Sequence, residues 1–179
     1  MLRRDDTVLA LLDVQGRLAT LMHDREALYR SLVTLVQGVQ ALGLPIVWME
    51  QYPKGLGPTI PELAQLLNGQ QPLEKTCFSA CGLAAFVAQL RATGRRQVLL
   101  AGIETHICVF QTGRDLLSLG YHVEVVTDGV SSRTAANRQL ALDRLSAAGA
   151  SLTSVEMCLF ELLREAGSPE FRQISQLVR

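Results

Sequence analysis

Continuous apolar runs that alternate with segments of helical periodicity constrain the fold of this chain most strongly. Three such runs are Thr7–Leu12 (TVLALL), Pro45–Met49 (PIVWM) and Gln97–Ala101 (QVLLA). A strand that is buried on both faces has this pattern, and the strands of parallel sheets are buried in this way beneath flanking helices. Between the first two runs, Arg25–Leu42 carries leucines and valines at helical spacing. The alternation predicts a three-layer α/β/α fold with a mostly parallel, doubly wound sheet of about six strands.

The remaining segments continue the alternation to the end of the chain, so we expect a single domain over residues 1–179. Further strands are predicted at Leu73–Thr76, Tyr121–Val126 and Ser151–Ser154. Further helices are predicted at Pro61–Leu67, Leu83–Leu90, His106–Leu119, Ala135–Ala148, Val155–Glu165 and Pro169–Val178. The segment Gln51–Pro61 is rich in Pro and Gly and is predicted to be a loop, and Thr127–Gly129 is predicted to end a strand in a turn.

Composition argues against several classes of protein. The 179 residues are 48% apolar and carry 17 basic and 17 acidic side chains, so there is no electrostatic case for a nucleic-acid partner or an anionic membrane. The first residues, MLRRDDTVLALLD, hold only a short apolar run with acidic residues before it, which is not the pattern of a signal peptide. The four cysteines are irregularly spaced, which argues against a disulfide framework. We therefore expect a cytoplasmic protein that acts on a small-molecule substrate.

Cys108 follows one of the apolar runs, in the segment VLLAGIETHICVF. Gly102 breaks the strand, and Thr105 is a residue type that caps helix N-termini. Such a cap would place Cys108 at the third helical position, where unpaired N–H groups and the helix dipole favour a thiolate over a thiol. Cys108 is therefore a candidate nucleophile, although most single cysteines serve as small core residues.

Two more reactive side chains lie at predicted strand ends. Asp13 comes directly after the first strand, and Lys75 lies in the short strand that precedes the middle of the chain. The carboxyl ends of parallel strands meet at one edge of the sheet, where ligands bind in such folds. We therefore expect Asp13, Lys75 and Cys108 to converge there, with Asp13 as a general acid or base. Taken singly, Asp13 is more typical of a turn and Lys75 of a solvated loop.

Three short motifs occur in order along the chain: LLDVQ around Asp13, EKTCFSA around Lys75 and GIETHICV around Cys108. Together they resemble the isochorismatase-like cysteine hydrolases, a superfamily that includes nicotinamidases and N-carbamoyl amidohydrolases. The segments EQYPKGLGPTIPEL, TDGVSSR and SVEMCLFEL resemble, more narrowly, its isochorismatase-domain-containing branch. The resemblance extends from about Thr7 to the end of the sequence.

This resemblance implies a catalytic triad of Asp13, Lys75 and Cys108. In the family the cysteine attacks a carbonyl carbon and forms a thioester-type acyl-enzyme, the aspartate takes the thiol proton and returns it to the leaving group, and the lysine tunes both. The family also has a non-proline cis peptide, which maps onto Ile103–Glu104. That peptide would turn the N–H of Glu104 toward the same point as the N–H of Cys108, and two converging donors form an oxyanion hole.

Positions in the sequence predict residues of the substrate pocket, and the resemblance bears on metal binding and assembly. Gln15, Gln51, Tyr52 and Phe78 lie near predicted strand ends or Lys75, where they would line the pocket. Nicotinamidases hold a divalent cation with a cluster of Asp and His after the second strand, whereas the corresponding EQYPKGLGPTIPEL contains no histidine. We therefore expect no metal ion and no other cofactor. The amphipathic C-terminal helices follow a complete sheet and, with the resemblance, predict a homo-oligomer, a dimer or larger.

These observations favour a small-molecule hydrolase that cleaves an amide or related acyl bond through an acyl-enzyme on Cys108. Three alternatives stay open. Isochorismate-type vinyl-ether hydrolysis uses the acid and needs no thiol, so the presence of Cys108 argues against it. The other two are a non-catalytic binding or scaffold protein that kept the fold, and a redox-sensing thiol.

Overall fold

The computed structural model describes residues 1–179 and contains one six-stranded sheet in which all neighbouring strands are parallel. The strands are β1 (Thr7–Leu12), β2 (Ile46–Gln51), β3 (Leu73–Lys75), β4 (Gln97–Ile103), β5 (His122–Ser131) and β6 (Ser151–Thr153). Their order across the sheet is β3-β2-β1-β4-β5-β6. This doubly wound order confirms the predicted fold class.

Helices fill the connections between the strands. They are α1 (Gly16–Thr20), α2 (Arg25–Ala41), α3 (Pro53–Leu56), α4 (Pro61–Ala64), α5 (Ala84–Ala92), α6 (Phe110–Ser118), α7 (Ala135–Ala147), α8 (Val155–Leu163) and α9 (Pro169–Leu177). A 3₁₀ turn covers Ala80–Gly82, and a π-helical turn covers Thr105–Val109 directly before α6. None of the helices combines the length and the apolar character that crossing a bilayer requires.

Two hydrophobic cores lie on opposite faces of the sheet. In β1, Leu9 and Leu11 belong to one core, whereas Val8, Ala10 and Leu12 belong to the other. Helices α2, α4, α8 and α9 contribute to the first core, and α5, α6 and α7 contribute to the second. All six residues of β1 are buried, because both faces of the strand are covered. This is the physical reason for its continuous apolar sequence.

The strand order reverses at β1, which pairs with β2 on one side and β4 on the other. Leu12 is aligned with Met49 of β2 and with Gly102 of β4. Gly102 has a φ of +117°, and a Cβ added there would lie 2.0 Å from the carbonyl oxygen of Leu12, so only glycine allows this approach. A crevice opens beyond the carboxyl ends of the strands at such a reversal.

The end of β5 differs from the prediction. A turn at Thr127–Gly129 was expected to end this strand, but β5 continues to Ser131. The pairing of β4 with β5 shifts in register after Leu100, and this irregularity accommodates the Asp-Gly pair inside the strand. The carboxylate of Asp128 accepts a hydrogen bond from the N–H of Val155 at the start of α8. Asp128, a residue type common in turns, therefore serves here to accept a hydrogen bond from an N–H group at the start of the next helix.

Two short helices also lie outside the predicted elements. Helix α1 follows β1 closely, and α3 lies within the segment Gln51–Pro61 that was predicted to be a loop. Each has only four or five residues, which is too short to show a helical repeat of apolar residues. Pro53 begins α3, and its fixed φ suits the first position of a helix.

Candidate active site

Three side chains of different chemistry meet at the carboxyl edge of the sheet. Asp13 follows β1 with a φ of 58°, Lys75 is the last residue of β3, and Cys108 lies in the π-helical turn after β4. The Nζ atom of Lys75 lies 2.7 Å from Oδ2 of Asp13. Asp13 and Cys108 are close enough for each to shift the pKa of the other. The structure therefore brings together the three side chains that the sequence analysis singled out.

All three side chains are removed from water, with at most 7% of each residue exposed. A buried ammonium group needs several acceptors. The Nζ of Lys75 donates to Asp13, to Oε1 of Gln51 at 2.6 Å, and to the backbone carbonyls of Cys77 and Phe78 at 3.2 Å each. Oδ2 of Asp13 is thereby paired, whereas its Oδ1 is buried without a hydrogen-bond partner. One carboxylate oxygen is thus left as an acceptor inside the site.

Burial sets the protonation of this cluster. Desolvation raises the pKa of Asp13 above its usual range, and the charge and hydrogen bond of Lys75 offset only part of that rise. Burial, and then the charge of Asp13, raise the pKa of the Cys108 thiol to about 12 against the opposing charge of Lys75. Lys75 lowers the pKa of the thiol, but burial and Asp13 outweigh it. The expectation that the start of the helix would favour a thiolate at Cys108 is therefore wrong. At neutral pH the thiol keeps its proton, and it becomes nucleophilic only by transferring that proton to a base.

The start of the helix that carries Cys108 also differs from the prediction. Glu104 occupies the cap position that was predicted for Thr105. The Oγ1 atom of Thr105 is buried and has no hydrogen-bond partner, so this hydroxyl does not cap the helix. Because the turn begins at Thr105, Cys108 is its fourth residue and not its third.

The backbone of this turn has two unusual features. The peptide bond between Ile103 and Glu104 is cis. The carbonyl of Glu104 accepts hydrogen bonds from the N–H groups of Ile107 and Val109, at 3.1 and 3.2 Å, and passes over the N–H of Cys108. Single π-helical turns of this kind are frequent at functional sites. The geometry leaves the amide of Cys108 outside the pattern of a regular α-helix.

A polar network beside the turn was missed by the sequence analysis. The buried carboxylate of Glu104 accepts from the N–H and the Nε of Arg133, at 3.3 and 3.0 Å. The Nδ1 of His106 lies 2.9 Å from Oγ of Ser132, and its Nε2 lies 3.4 Å from Nδ2 of Asn137. The interpretation of Thr127–Gly129 as a turn that ends the strand hid this network. A strand that continues through Asp-Gly instead delivers Ser132 and Arg133 to the edge of the sheet where Cys108 lies.

Gln15 and Gln51 form hydrogen bonds that hold the end of β2 next to Lys75. Gln15 is fully buried, and its amide donates to the carbonyls of Gln51 and Gly57 at 3.2 and 2.7 Å. Its Oε1 accepts from the N–H of Gln51 at 2.6 Å. The side chain of Gln51 donates to the carbonyl of Thr76 at 2.8 Å and accepts from Lys75. These bonds fix the end of β2 against β3.

The two aromatic residues predicted for the pocket have exposed rings. Tyr52 is 54% exposed and Phe78 is 55% exposed. The N–H of Tyr52 donates to the carbonyl of Lys75 at 2.8 Å, and the carbonyl of Phe78 accepts from its ammonium group. Both residues are thus tied to Lys75 through their backbone, with apolar rings left open to solvent.

Metal ligands and disulfides are not part of this arrangement. No three His, Cys, Asp or Glu side chains lie close enough together to share a metal ion. All four cysteines are free thiols. The chemistry that the site offers is therefore that of a carboxylate, an ammonium group and a thiol.

Comparison with known proteins places this chain in a family. Residues 7–157 match the isochorismatase domain. The chain is 39% identical to bovine isochorismatase domain-containing protein 2 over 174 residues, which cover 97% of this chain and 83% of the relative. These matches confirm the resemblance that the motifs carried.

Solved structures give the same relationship. The MAR1 ribonuclease of Caenorhabditis elegans matches with a TM-score of 0.92 and 34% identity, over 99% of this chain and 91% of that chain. The YcaC gene product of Escherichia coli, described as an octameric hydrolase of unknown specificity, matches with a TM-score of 0.93 and 25% identity, over 98% and 89%. This protein therefore belongs to the isochorismatase family and is a hydrolase of that family.

Proposed function

We propose that this hydrolase cleaves an amide or a related acyl bond of a small molecule, with Asp13, Lys75 and Cys108 as its catalytic triad. One observation carries the proposal: the buried carboxylate of Asp13 contacts the ammonium group of Lys75 through one oxygen, keeps its other oxygen free as an acceptor, and lies beside the Cys108 thiol. Acidic and thiol groups whose pKa values are displaced together are typical of functional sites.

In the proposed reaction, Asp13 accepts the thiol proton while Sγ of Cys108 bonds to the carbonyl carbon of the substrate. The carbonyl π electrons move to oxygen and give a tetrahedral intermediate. When this intermediate collapses, the C=O double bond re-forms, the bond to the leaving group breaks and Asp13 protonates that group. Water then attacks the thioester, Asp13 takes its proton, and the thiol leaves with that proton as the acid product forms. The raised pKa of Asp13 suits both directions of transfer. Lys75 keeps the ionised form of Asp13 accessible.

We assign the N–H groups of Glu104 and Cys108 to the oxyanion hole. The carbonyl of Glu104 accepts from the N–H groups of Ile107 and Val109 and does not accept from the N–H of Cys108. Arg133 holds the carboxylate of Glu104 in place. Losing one such donor typically costs about 2.7–4 kcal/mol of transition-state stabilisation. Arg133 then acts as a positioning residue, through Glu104.

The substrate would lie between the open rings of Tyr52 and Phe78 and contact Gln51. Their exposure supports this placement, since more than half of each residue is open to solvent. Gln15 contributes by holding Gln51, because its own amide is fully engaged with backbone groups.

Two other reactions fit the cluster less well. One structural relative is described as a ribonuclease, and transfer at phosphorus needs cations that are free to contact the developing charge. The ammonium of Lys75 already contacts four acceptors. Vinyl-ether hydrolysis needs only the acid, and it would leave the thiol of Cys108 without a role beside Asp13.

A hydrolysis screen over amides, N-carbamoyl compounds and esters tests this proposal. The Cys108→Ala variant serves as the blank, and Cys81→Ala is the matched control because burial also raises the pKa of that thiol to about 12. We expect the wild type and Cys81→Ala to hydrolyse the same compounds, and Cys108→Ala to be slower by about a thousandfold or more. Equal activity in wild type and Cys108→Ala would remove Cys108 from the mechanism.

We also propose that the protein is a homo-oligomer. In the C-terminal helices, Leu159, Leu162 and Ile174 are buried within the subunit, whereas Met157 is 60% exposed and Phe160 is 36% exposed. The octameric assembly of the E. coli relative supports the proposal. Static light scattering at micromolar concentration is expected to give the mass of a dimer or a larger assembly, and the mass of a monomer would contradict it.

A reducing cytoplasm is the location that we propose for this activity. All four cysteines are free thiols, and the mechanism requires Cys108 to stay reduced.

A further inference from the structure

A cavity lies at the edge of the sheet opposite to Cys108, where β4 and β5 begin. Its volume is about 460 Å³. The residues that line it are Arg91, Gly94, Arg95, Arg96, Leu119 and Tyr121. Arg91 belongs to the last turn of α5, the other two arginines precede β4, and the two apolar residues follow α6. Three cations from neighbouring segments thus surround one cavity.

None of these three arginines takes part in a salt bridge. The Nη1 of Arg95 donates to the carbonyls of Arg4 and Thr7 at 2.6 and 2.7 Å, which fixes that side chain. Arg91 and Arg96 are exposed. Guanidinium groups stay charged at every physiological pH, so three positive charges surround the cavity.

Opposing groups are present and do not cancel these charges. The carboxylate of Asp6 accepts from the backbone N–H of Arg96 at 2.8 Å. Helices α5 and α6 both end here, and each contributes about half a negative charge. The neighbouring strand β5 carries one further carboxylate, that of Glu124. It lies 3.1 Å from the Nε2 of His122, which is its partner. The carboxylate of Asp5 also acts electrostatically on Arg95, and it is paired with Arg3. Three full positive charges therefore face one carboxylate without a basic partner, that of Asp6, and two partial negative charges.

The concentration of charge is local. The whole chain has 17 basic and 17 acidic side chains, so a general excess of basic residues does not explain three unpaired arginines around one cavity. The wall beside them is apolar, with Leu119 42% exposed and the ring of Tyr121 nearly buried. A ligand for this cavity therefore needs a strongly anionic group and an apolar part.

We propose that this cavity binds a phosphate-bearing small molecule, with its phosphate on Arg91, Arg95 and Arg96 and its apolar part against Leu119 and Tyr121. The planar fork of arginine matches phosphate oxygens in pairs. A multiply charged phosphate also suits three guanidinium groups, whereas a single carboxylate would leave most of their charge unbalanced. The volume lies within the range of about 300–1,000 Å³ that small-molecule sites occupy. The site is separate from the catalytic cluster and does not rest on the proposed function.

Isothermal titration calorimetry with inorganic pyrophosphate, adenosine monophosphate and adenosine tests this proposal. The test variant is Arg91→Gln/Arg96→Gln, which removes two charges at exposed positions and keeps side-chain length. The matched control is Arg30→Gln/Arg172→Gln, because both residues are exposed, form no salt bridge and lie outside the cavity. Thermal melting without ligand checks that both variants are folded.

We expect pyrophosphate and adenosine monophosphate to bind the wild type and the control with equal affinity. Binding to the test variant should weaken by about tenfold or more, and added salt should weaken binding to the wild type. Adenosine, which lacks the phosphate, should not bind measurably. Unchanged affinity in the test variant, no binding of either phosphate compound to the wild type, or adenosine binding as tightly as its monophosphate would each overturn the proposal.

Discussion

Burial and Lys75 act on the carboxyl group of Asp13 in opposite directions. Desolvation raises its pKa, the adjacent ammonium group lowers it, and desolvation is the larger effect. The same burial raises the pKa of the Cys108 thiol to about 12. The raised pKa favours the protonated thiol in the free enzyme, and an acceptor oxygen of Asp13 lies close by. A base at this position is needed because the thiol does not ionise by itself.

Replacing Lys75 by Met tests this balance. A carboxyl group whose pKa is raised in the folded state stabilises the fold while it is protonated, and that contribution is lost as the pH rises through its folded pKa. Without Lys75 the pKa of Asp13 should rise further, since the cation is what lowers it. We expect Lys75→Met to cost little near pH 4 and about 3–5 kcal/mol of unfolding free energy near pH 8.

Urea unfolding at the two pH values measures the difference. Lys54→Met is the matched control, because Lys54 is the only other lysine of the chain and is exposed. Its effect should be small at both pH values. A cost of Lys75→Met that is the same at low and high pH would contradict the assigned interaction with Asp13.

At the scale of residues, the sequence predicted identities better than energies. The motifs around Asp13, Lys75 and Cys108 are local, and strand ends can be located from apolar runs, so their convergence was predictable. The sign of the pKa shift at Cys108 was not, because it depends on how deeply the folded chain buries the thiol. Neighbouring charges can be counted from a sequence, whereas desolvation requires the packed structure.

The junction of β4 with the π-helical turn is the element that places Cys108. Gly102 lies directly against β1 there, with a φ of +117° and no room for a side chain. The residues that follow lead into the turn from Thr105. The shape of this junction therefore fixes the distance between the end of β1, where Asp13 lies, and the thiol.

Gly102→Ala should destabilise the protein strongly. The added Cβ would lie 2.0 Å from a backbone oxygen of Leu12, and neither strand can move without disrupting the sheet. We expect a loss of about 3 kcal/mol or more of unfolding free energy. Gly43→Ala is the matched control: it has a φ of +68° with nothing within 4 Å of the added atom, and it should cost about 1 kcal/mol. Equal losses in urea unfolding would show that the close approach at Gly102 is unimportant.

At the scale of elements, apolar runs located the central strands, because strands covered on both faces must be continuously apolar. The edge strands β3 and β6 are short and partly exposed, and the alternation of strands with helices located them instead. The extension of β5 was missed since Asp128 and Gly129 have the composition of a turn and their role depends on α8, far along the chain. The π-helical turn was missed for a related reason. Its hydrogen bonds to the carbonyl of Glu104 leave no periodic pattern of residue types in the sequence.

The whole molecule has its reactive edge and its basic cavity at opposite ends of the parallel strands. Its three histidines, at 23, 106 and 122, are spread over separate parts of the chain, and no group of three potential metal ligands converges anywhere in it. We therefore predict that hydrolysis does not require a metal ion. The oxyanion hole and Lys75 would supply the electrostatic stabilisation.

Incubation with EDTA, followed by assay and elemental analysis, checks this prediction. Activity should be unchanged, and the purified protein should carry no stoichiometric transition metal. Activity that disappears with EDTA and returns on adding zinc, iron or manganese would contradict it.

The central claim is that Asp13 takes the proton of a buried Cys108 thiol as that thiol attacks an acyl carbon. The most direct measurement is the rate at which p-nitrophenyl acetate acetylates Cys108, followed by mass spectrometry of the intact protein and of its peptides. The leaving group of this ester needs no proton, so the rate reports on activation of the thiol. The account predicts acetyl on Cys108 in the wild type and none there in Cys108→Ala.

Asp13→Asn separates the base from the nucleophile. Burial, the largest cause of the raised thiol pKa, remains in this variant, so the thiol stays protonated and has no base. The account predicts acetylation of Cys108 slowed by about 10²–10⁴-fold in Asp13→Asn. Acetylation of Cys108 at the wild-type rate in Asp13→Asn, or acetyl found on Cys77 instead, would contradict it.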